Sequence, residues 1–133
     1  MDELIAVVKA EREALIELLK LLEEQYSLIV GNDVFALDAI VEKIQEKNKK
    51  VAEIEVKRRN ILNGRSINAV SRESKELEEE VQRINNLLYE LTLQKDSNDI
   101  LLKQSLAFTN KLLSYINPNR GNTTYNAYGK VKR

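Results

Sequence analysis

The stretch Leu28-Ile29-Val30-Gly31-Asn32-Asp33 decides the fold, because it places a helix stop and a helix start next to each other. We expect Gly31 to take the left-handed conformation that ends a helix, and Asn32 or Asp33 to cap the next helix with a side-chain oxygen. Apolar residues recur at spacings of three and four on both sides of this turn. Two long helices joined by so short a turn form an antiparallel hairpin.

The first predicted helix, Asp2 to Val30, has an apolar face that is too wide for a single partner helix. One stripe contains Ile5, Val8, Leu15, Leu19, Leu22, Tyr26 and Ile29, and an adjacent stripe contains Leu4, Val7, Ala14, Leu18, Leu21 and Leu28. Two adjacent stripes predict that this helix contacts two partner helices.

The second predicted helix runs from about Val34 to Asn63, with an apolar stripe of its own. Three cations interrupt the stripes: Arg12 in the first helix, and Lys47 and Arg58 in the second. At such positions we expect residues that set the register of the helices, or that snorkel to solvent, rather than a functional site.

A third helix is predicted from about residue 72 to residue 116, after a connection that has room for a helical turn near Ile67 to Val70. The apolar pattern of this helix includes Leu88 and Leu91, becomes polar over residues 95–99, and then resumes. The polar stretch allows a bend or a polar layer in one continuous helix, and we favour the continuous helix. The predicted fold of residues 1–116 is therefore all-α, an antiparallel helical hairpin plus a long third helix in a coiled-coil-like bundle.

Residues 117–133 differ in composition from the rest of the chain. They have no apolar periodicity and many turn formers, and we expect a flexible tail. The chain is neutral overall, with 21 basic and 21 acidic residues, but the tail holds four basic residues and no acidic one. The neutral total thus combines an acidic helical part with a basic tail.

The composition excludes most kinds of chemistry. Without histidine or cysteine, the chain has no ligands for a usual zinc site, no thiol nucleophile and no disulfide. We expect no enzymatic activity and no cofactor, and the neutral charge argues against nucleic acid as a partner. No run of 18 apolar residues predicts a membrane span, and Met1-Asp2-Glu3 is acidic where a signal peptide is basic. The expected compartment is the cytoplasm, and the expected partners are other proteins.

The predicted helix lengths leave the end of the third helix without a partner. At ~1.5 Å per residue the hairpin helices are about 45 Å long and a continuous third helix about 65 Å, so that it passes the hairpin turn near Leu102. The segment from Leu101 to Ile116, here called the overhang, is nevertheless strongly apolar. Its two stripes are Leu101, Phe108, Leu112 and Tyr115, and Leu102, Leu106, Leu113 and Ile116. Such a face binds an amphipathic partner segment, folds back on the hairpin through a bend, or self-associates into a homo-oligomer.

The order and spacing of three stretches resemble those of the FlgN-type flagellar export chaperones, which serve the flagellar type III secretion apparatus. The first is the turn Leu28–Asp33 followed by residues 37–44, and the second is Asn98–Phe108, an Asn-containing start to an aliphatic helix. The third is Thr124–Lys130, which is similar to the family's Tyr-x-x-x-Gly ending. The resemblance covers nearly the whole chain.

This resemblance implies a cytoplasmic chaperone that binds hook-filament junction proteins, also called hook-associated proteins, and delivers them to the export gate. The family's cargo-binding region maps onto Leu101, Leu102, Leu106, Phe108, Leu112, Leu113, Tyr115 and Ile116. The family also docks on the cytoplasmic domain of the export-gate protein through a tail tyrosine. Tyr125, four residues before Gly129, matches that position, and Tyr128 is the other candidate. The alternative function is a coiled-coil scaffold or self-associating bundle with no export role.

Overall fold

The computed structural model describes residues 1–116 and, beyond them, the backbone of two short strands. The elements are α1 (Asp2–Val30), α2 (Val34–Leu62), α3 (Ile67–Ser71), α4 (Lys75–Ile116), β1 (Thr124–Tyr125) and β2 (Val131–Lys132). β1 and β2 pair antiparallel, with Thr124 opposite Lys132 and Tyr125 opposite Val131. The predicted all-α bundle is confirmed. The predicted flexible tail falls mostly outside the described residues and stays a prediction.

The hairpin turn contains one residue in the left-handed conformation, and it is not the glycine. Gly31 has a right-handed φ of −77°, whereas Asn32 has a φ of 55°, so the assignment of this role to Gly31 was wrong. Asparagine is among the few residues besides glycine that tolerate this region. Asp33 caps α2 as expected, because its Oδ1 accepts a hydrogen bond from the amide of Ala36 at 3.1 Å.

α1 is the central helix of the bundle. It packs along α2 on one side and along α4 on the other, whereas α2 and α4 barely meet. Residues of both predicted stripes are buried, among them Leu4 and Leu18 from one and Val8 and Leu15 from the other. The expectation that this helix contacts two partners is therefore confirmed.

The cations of α2 that interrupt its apolar stripe pair with acidic residues of α1. Arg58 donates from Nη1 to Glu11 at 3.2 Å, and Lys47 pairs with Glu17. Glu11 is only 6% exposed, and burial raises the pKa of its carboxyl group although Arg58 opposes that shift. These pairs fix the axial position of α2 on α1, as a register role requires.

The contacts of α1 with α4 have the opposite polarity. Arg12 and Lys9 of α1 pair with Glu80 at 2.6 Å and with Glu76 at 2.7 Å. Glu80 is buried and also contacts Arg83 of its own helix at 3.2 Å. Hence α1 presents acidic residues to α2 and basic residues to α4.

α4 is one continuous helix through the polar stretch at residues 95–99. Asn98 is 2% exposed. Its Nδ2 donates to the carbonyl oxygen of Leu22 at 2.8 Å and to Oε1 of Gln25 at 2.9 Å, and its Oδ1 accepts from Gln94 at 3.0 Å. The stretch is therefore a polar layer, and the alternative of a bend is excluded.

The connection between α2 and α4 closes one end of the bundle. Asn63 and Gly64 have φ values of 49° and 86° and end α2. The short helix α3 then places Val70 in the core at 3% exposure. The hydroxyl of Ser74 accepts from the amide of Leu77 at 3.3 Å, so α4 begins at Lys75 rather than near residue 72.

Candidate protein-binding surface

The overhang begins beside the hairpin turn. A recess of about 390 Å³ lies between Ile29, Val30 and Asn32 of the turn and α4 residues from Gln104 to Leu112. α4 runs parallel to α1 and passes the turn along this segment, somewhat beyond the expected Leu102. Because α4 begins at Lys75 rather than near residue 72, a later residue of α4 lies beside the turn. Fewer residues of α4 therefore project beyond the hairpin.

Four apolar residues of the overhang face solvent, three from its first stripe and Ile116 from its second. Tyr115 is 88% exposed, Ile116 71%, Phe108 68% and Leu112 48%. The remaining candidate residues, Leu101, Leu102, Leu106 and Leu113, are half-buried. The proposed cargo-binding residues thus divide into an exposed set and a partly covered set.

The exposed set forms a shallow apolar depression on the surface of α4. Phe108, Leu112, Tyr115 and the side chain of Lys111 line about 200 Å³ there. Burial of these apolar side chains against a partner would be favourable by about 25 cal/mol for each Å² of apolar area. This depression is therefore a candidate contact surface for another protein.

A second concave surface lies between α2 and α4, and we call it the central groove. It has a volume of about 370 Å³, and Leu18 and Leu22 of α1 form its floor. Its remaining lining residues are Gln25, Val41, Ile44, Gln45, Asn48, Leu88, Leu91, Thr92, Lys95 and Asp99. Val41 and Leu88 are 40% and 47% exposed, although the spacing of Leu88 had placed it in the packed stripe.

The central groove was not predicted from the sequence. The groove exists because α2 and α4 barely meet, so that the apolar face of α1 is not fully covered between them. The sequence does contain one signal for the groove. Gln45 and Asn48 stand among the apolar residues of α2, and polar side chains at these positions do not pack tightly against a neighbouring helix. The apolar periodicity alone could not show on which side of α1 the opening lies.

The hairpin turn carries exposed apolar residues that the sequence analysis also did not single out. Val30 and Val34, on either side of the turn, are well exposed, and Phe35 is 90% exposed. Three large apolar residues beside a turn were visible in the sequence. Val30 also lines the recess that contains Phe108 and Leu112, so apolar surface of the overhang continues onto the turn there.

The charges near these surfaces are few. Lys103 and Lys111 are the charged residues of the overhang, and Lys95 and Asp99 stand on the α4 wall of the central groove. Within residues 1–116, none of these four takes part in an ion pair. They are available to charged residues of a partner.

The described residues contain no group of three or more Asp or Glu side chains that could hold a metal ion. In the same part of the chain, no helix is long and apolar enough to cross a membrane.

The structure says little about the tail residues proposed for docking. The backbone of Tyr125 lies in β1 and pairs with Val131. Tyr128 and Gly129 lie outside the described residues. The assignment of a docking role to Tyr125, Tyr128 or Gly129 therefore stays a prediction.

Comparison with known families gives a match over the entire chain. The family model described as FlgN protein matches residues 1–133. No curated protein and no solved structure matches the chain. A match that spans every residue, on a chain with the helical bundle described above, shows that the protein belongs to the FlgN family of flagellar export chaperones.

Proposed function

We propose that this chaperone binds hook-filament junction proteins in the cytoplasm through its overhang and delivers them to the flagellar type III export gate. The observation that carries the proposal is the exposure of four apolar residues, Phe108, Leu112, Tyr115 and Ile116, at the end of α4, here called the exposed stripe. The family membership supports an export chaperone in general, and the stripe supports this location for the cargo.

The mode of binding that fits this surface is helix packing. An amphipathic helical segment of the cargo places its apolar face on the stripe, and burial of both apolar surfaces provides the binding free energy. While that segment is bound, its apolar face is not available for assembly with other subunits. A chaperone with this surface thereby keeps its cargo unassembled until export.

Delivery requires a second contact that does not compete with the cargo. Tyr125 and Tyr128 follow the end of α4 closely in the chain, and the tail that carries them is basic. We assign docking on the cytoplasmic domain of the export-gate protein to one of these tyrosines, together with Gly129. Cargo and gate then contact adjacent but separate parts of the protein.

The cargo surface is tested with a matched pair of variants. Phe108 and Tyr89 are both aromatic residues of α4, and both are 68% exposed, but only Phe108 lies in the overhang. Phe108→Asp, combined with Tyr115→Asp, should abolish co-purification of junction proteins from the same bacterium, whereas Tyr89→Asp should retain it. Equal retention of cargo by both variants would show that the overhang is not the cargo site.

The docking role is tested separately with Tyr125→Ala and Tyr128→Ala in the full chain. One of these variants should weaken binding to the cytoplasmic domain of the export-gate protein and leave cargo binding unchanged. If the same substitution removes cargo and gate together, the scheme of two separate contacts is wrong.

The exposed stripe also favours a second candidate function, a self-associating bundle with no export role. This alternative predicts a stable dimer or tetramer that forms through the overhang. Sedimentation of the purified protein distinguishes the two functions, because Phe108→Asp and Tyr115→Asp would convert such an oligomer to a monomer.

A further inference from the structure

We infer that the cargo helix that binds the exposed stripe continues along a furrow between α1 and α4, on the side of the bundle away from the central groove. We call this surface the lateral furrow, and its volume is about 300 Å³. It is lined by Leu19 and Glu23 of α1 and by Glu90, Leu93, Gln94 and Ser97 of α4. The inference rests on the proposed function and extends the cargo site from the end of α4 to the side of the bundle.

The α4 wall of the lateral furrow and the exposed stripe share one face of α4. Residues on this face recur at alternating spacings of four and three: Glu90, Gln94, Ser97, Leu101, Gln104, Phe108, Lys111 and Tyr115. A sustained alternation of this kind keeps one face of a helix towards one partner helix. The α4 wall of the central groove is a different set, which includes Leu88 and Leu91. A helix that packs on Phe108 and Tyr115 is therefore directed along the lateral furrow and not into the central groove.

α1 continues the other wall of the lateral furrow as far as the hairpin turn. Glu23, Tyr26 and Val30 are spaced by three and four residues, and Tyr26 and Val30 are 40% and 64% exposed. Val30 also lines the recess that contains Phe108 and Leu112, and both of these belong to the exposed stripe. The recess therefore joins the lateral furrow to the exposed stripe on a single side of the molecule.

The length of the joined surface suits one partner helix. From Glu90 to Tyr115 it extends about 38 Å, which matches a helix of about 25 residues. The exposed stripe alone, from Phe108 to Ile116, offers only about 12 Å. Stable protein interfaces commonly bury about 800 Å² on each partner, and so short a segment of one helix provides little of that area. The lateral furrow adds a second wall and the apolar side chain of Leu93, which is 50% exposed.

The charges along this surface change sign from one end to the other. Glu23 and Glu90 line the lateral furrow, and Lys111 stands beside Phe108 and Tyr115 at the overhang. Within residues 1–116, none of these three charged residues takes part in an ion pair. The chemistry of the occupant is therefore that of an amphipathic helix with basic residues towards the lateral furrow and acidic residues towards Lys111, because such charges complement those of the chaperone.

The test compares two leucines of α4 on opposite sides of its contact with α1. Leu93 lines the lateral furrow and is 50% exposed, whereas Leu88 lines the central groove and is 47% exposed. Leu93→Gln should weaken the affinity for a purified junction protein by about tenfold, and Leu88→Gln should change it by less than about twofold. Glutamine is close to leucine in helix propensity, and circular dichroism melting checks that both variants are folded.

The hairpin turn provides a second matched pair. Val30 and Val34 flank the turn at 64% and 60% exposure, but of these two only Val30 lines the recess beside the exposed stripe. Val30→Gln should weaken the affinity for the junction protein by about threefold or more, and Val34→Gln should leave it within about twofold of the unmodified value.

A photocrosslinker identifies the occupant directly. Because the chain has no cysteine, Leu93→Cys carries a single benzophenone label, and Leu88→Cys carries the same label as the control. After addition of the junction protein and illumination, the label at residue 93 should attach to the same helical segment of the cargo as a label on Leu112→Cys. The label at residue 88 should not attach to the cargo.

The outcomes separate this inference from the proposed function. If Leu93→Gln and Val30→Gln bind cargo normally while Phe108→Asp combined with Tyr115→Asp does not, the extension along the lateral furrow is wrong and the overhang site stands. If none of these variants affects cargo, the proposed function itself fails. If Leu88→Gln weakens binding as much as Leu93→Gln, or if the label at residue 93 attaches to a second copy of the chain, the assignment of the lateral furrow to cargo is overturned.

Discussion

The two ends of the bundle differ in how completely α1, α2 and α4 bury their apolar residues. At the end closed by α3, Leu77 and Val8 are fully buried, and Lys9 and Arg12 hold α4 on α1 through Glu76 and Glu80. At the hairpin end, the groove lies open and the last residues of α4 face solvent. The difference shows that the closed end supplies the stability of the fold, whereas the open end retains apolar surface for a partner.

The largest expected effect comes from one substitution made at two positions of α4, one at the closed end and one on the wall of the central groove. Leu77→Ala at the closed end, where the side chain is 0% exposed, should lower the free energy of unfolding by about 2–5 kcal/mol, because it creates a cavity in the core. Leu88→Ala on the groove wall should cost much less, since Leu88 is already 47% exposed. Urea denaturation measures both variants. Equal losses would show that the groove wall is as tightly packed as the closed end.

The polar layer sharpens the comparison, because it holds α4 on α1 beside the open groove. Asn98→Ala should lower the free energy of unfolding by about 1–3 kcal/mol, since it removes buried hydrogen bonds to Leu22, Gln25 and Gln94. Asn85→Ala, at an exposed position of the same helix, should have little effect. Chemical denaturation of the two variants checks this difference, and an unchanged stability of Asn98→Ala would show that the layer does not hold α4 in place.

The buried carboxylate of Glu11 should make the closed end sensitive to pH. Burial raises the pKa of Glu11 above its ordinary value in the folded state, so that between the two values the folded state binds more protons than the unfolded state. Stability should therefore fall as the pH rises through this window. Glu11→Gln should remove this part of the pH dependence, and Arg58 would keep Glu55 at 3.7 Å as a partner.

Urea denaturation of Glu11→Gln and of the unmodified protein across this pH window measures the effect. Glu13→Gln, at an exposed position of the same helix, is the control and should leave the pH profile unchanged. A Glu11→Gln profile parallel to that of the unmodified protein would contradict the prediction.

The smallest effect is expected at the exposed pair of Lys47 and Glu17. The hydrogen bond from Lys47 lowers the pKa of Glu17, so its contribution to stability is present above the ordinary carboxyl pKa and is lost as the pH falls through the lowered value. Because salt screens exposed charges, Glu17→Gln should alter the melting temperature slightly at low ionic strength and not at all at high ionic strength. A salt-independent change would indicate a contact other than the ion pair.

Much of the fold could be predicted from the sequence, because local signals agree with the tertiary contacts. The structure has the hairpin helices that were predicted from the turn at residues 31–33 and from the double stripe of α1. It also places the interrupting cations Arg12, Lys47 and Arg58 in ion pairs between helices. The apolar overhang was visible because helix length is proportional to residue number. These features depend on spacing along one helix.

The central groove could not be predicted, because it depends on the distance between helices that are not adjacent in sequence. The spacing of Leu88 suits a buried residue, yet it is 47% exposed because α2 does not close on α4 beside it. Similarly, the conformations of Gly31 and Asn32 depend on how the turn joins two packed helices, and residue type alone favoured the glycine.

The charge arrangement on α1 also favours one handedness of the bundle. A hairpin and a third helix can assemble in two mirror-related arrangements, with α2 and α4 exchanged about the central helix. The exchanged arrangement would bring Arg58 towards the basic side of α1 and Glu80 towards Glu11, and would leave buried charges beside charges of the same sign. The ion pairs at the closed end thus stabilise this arrangement over its mirror-related alternative, and the groove opens on one fixed side of the molecule.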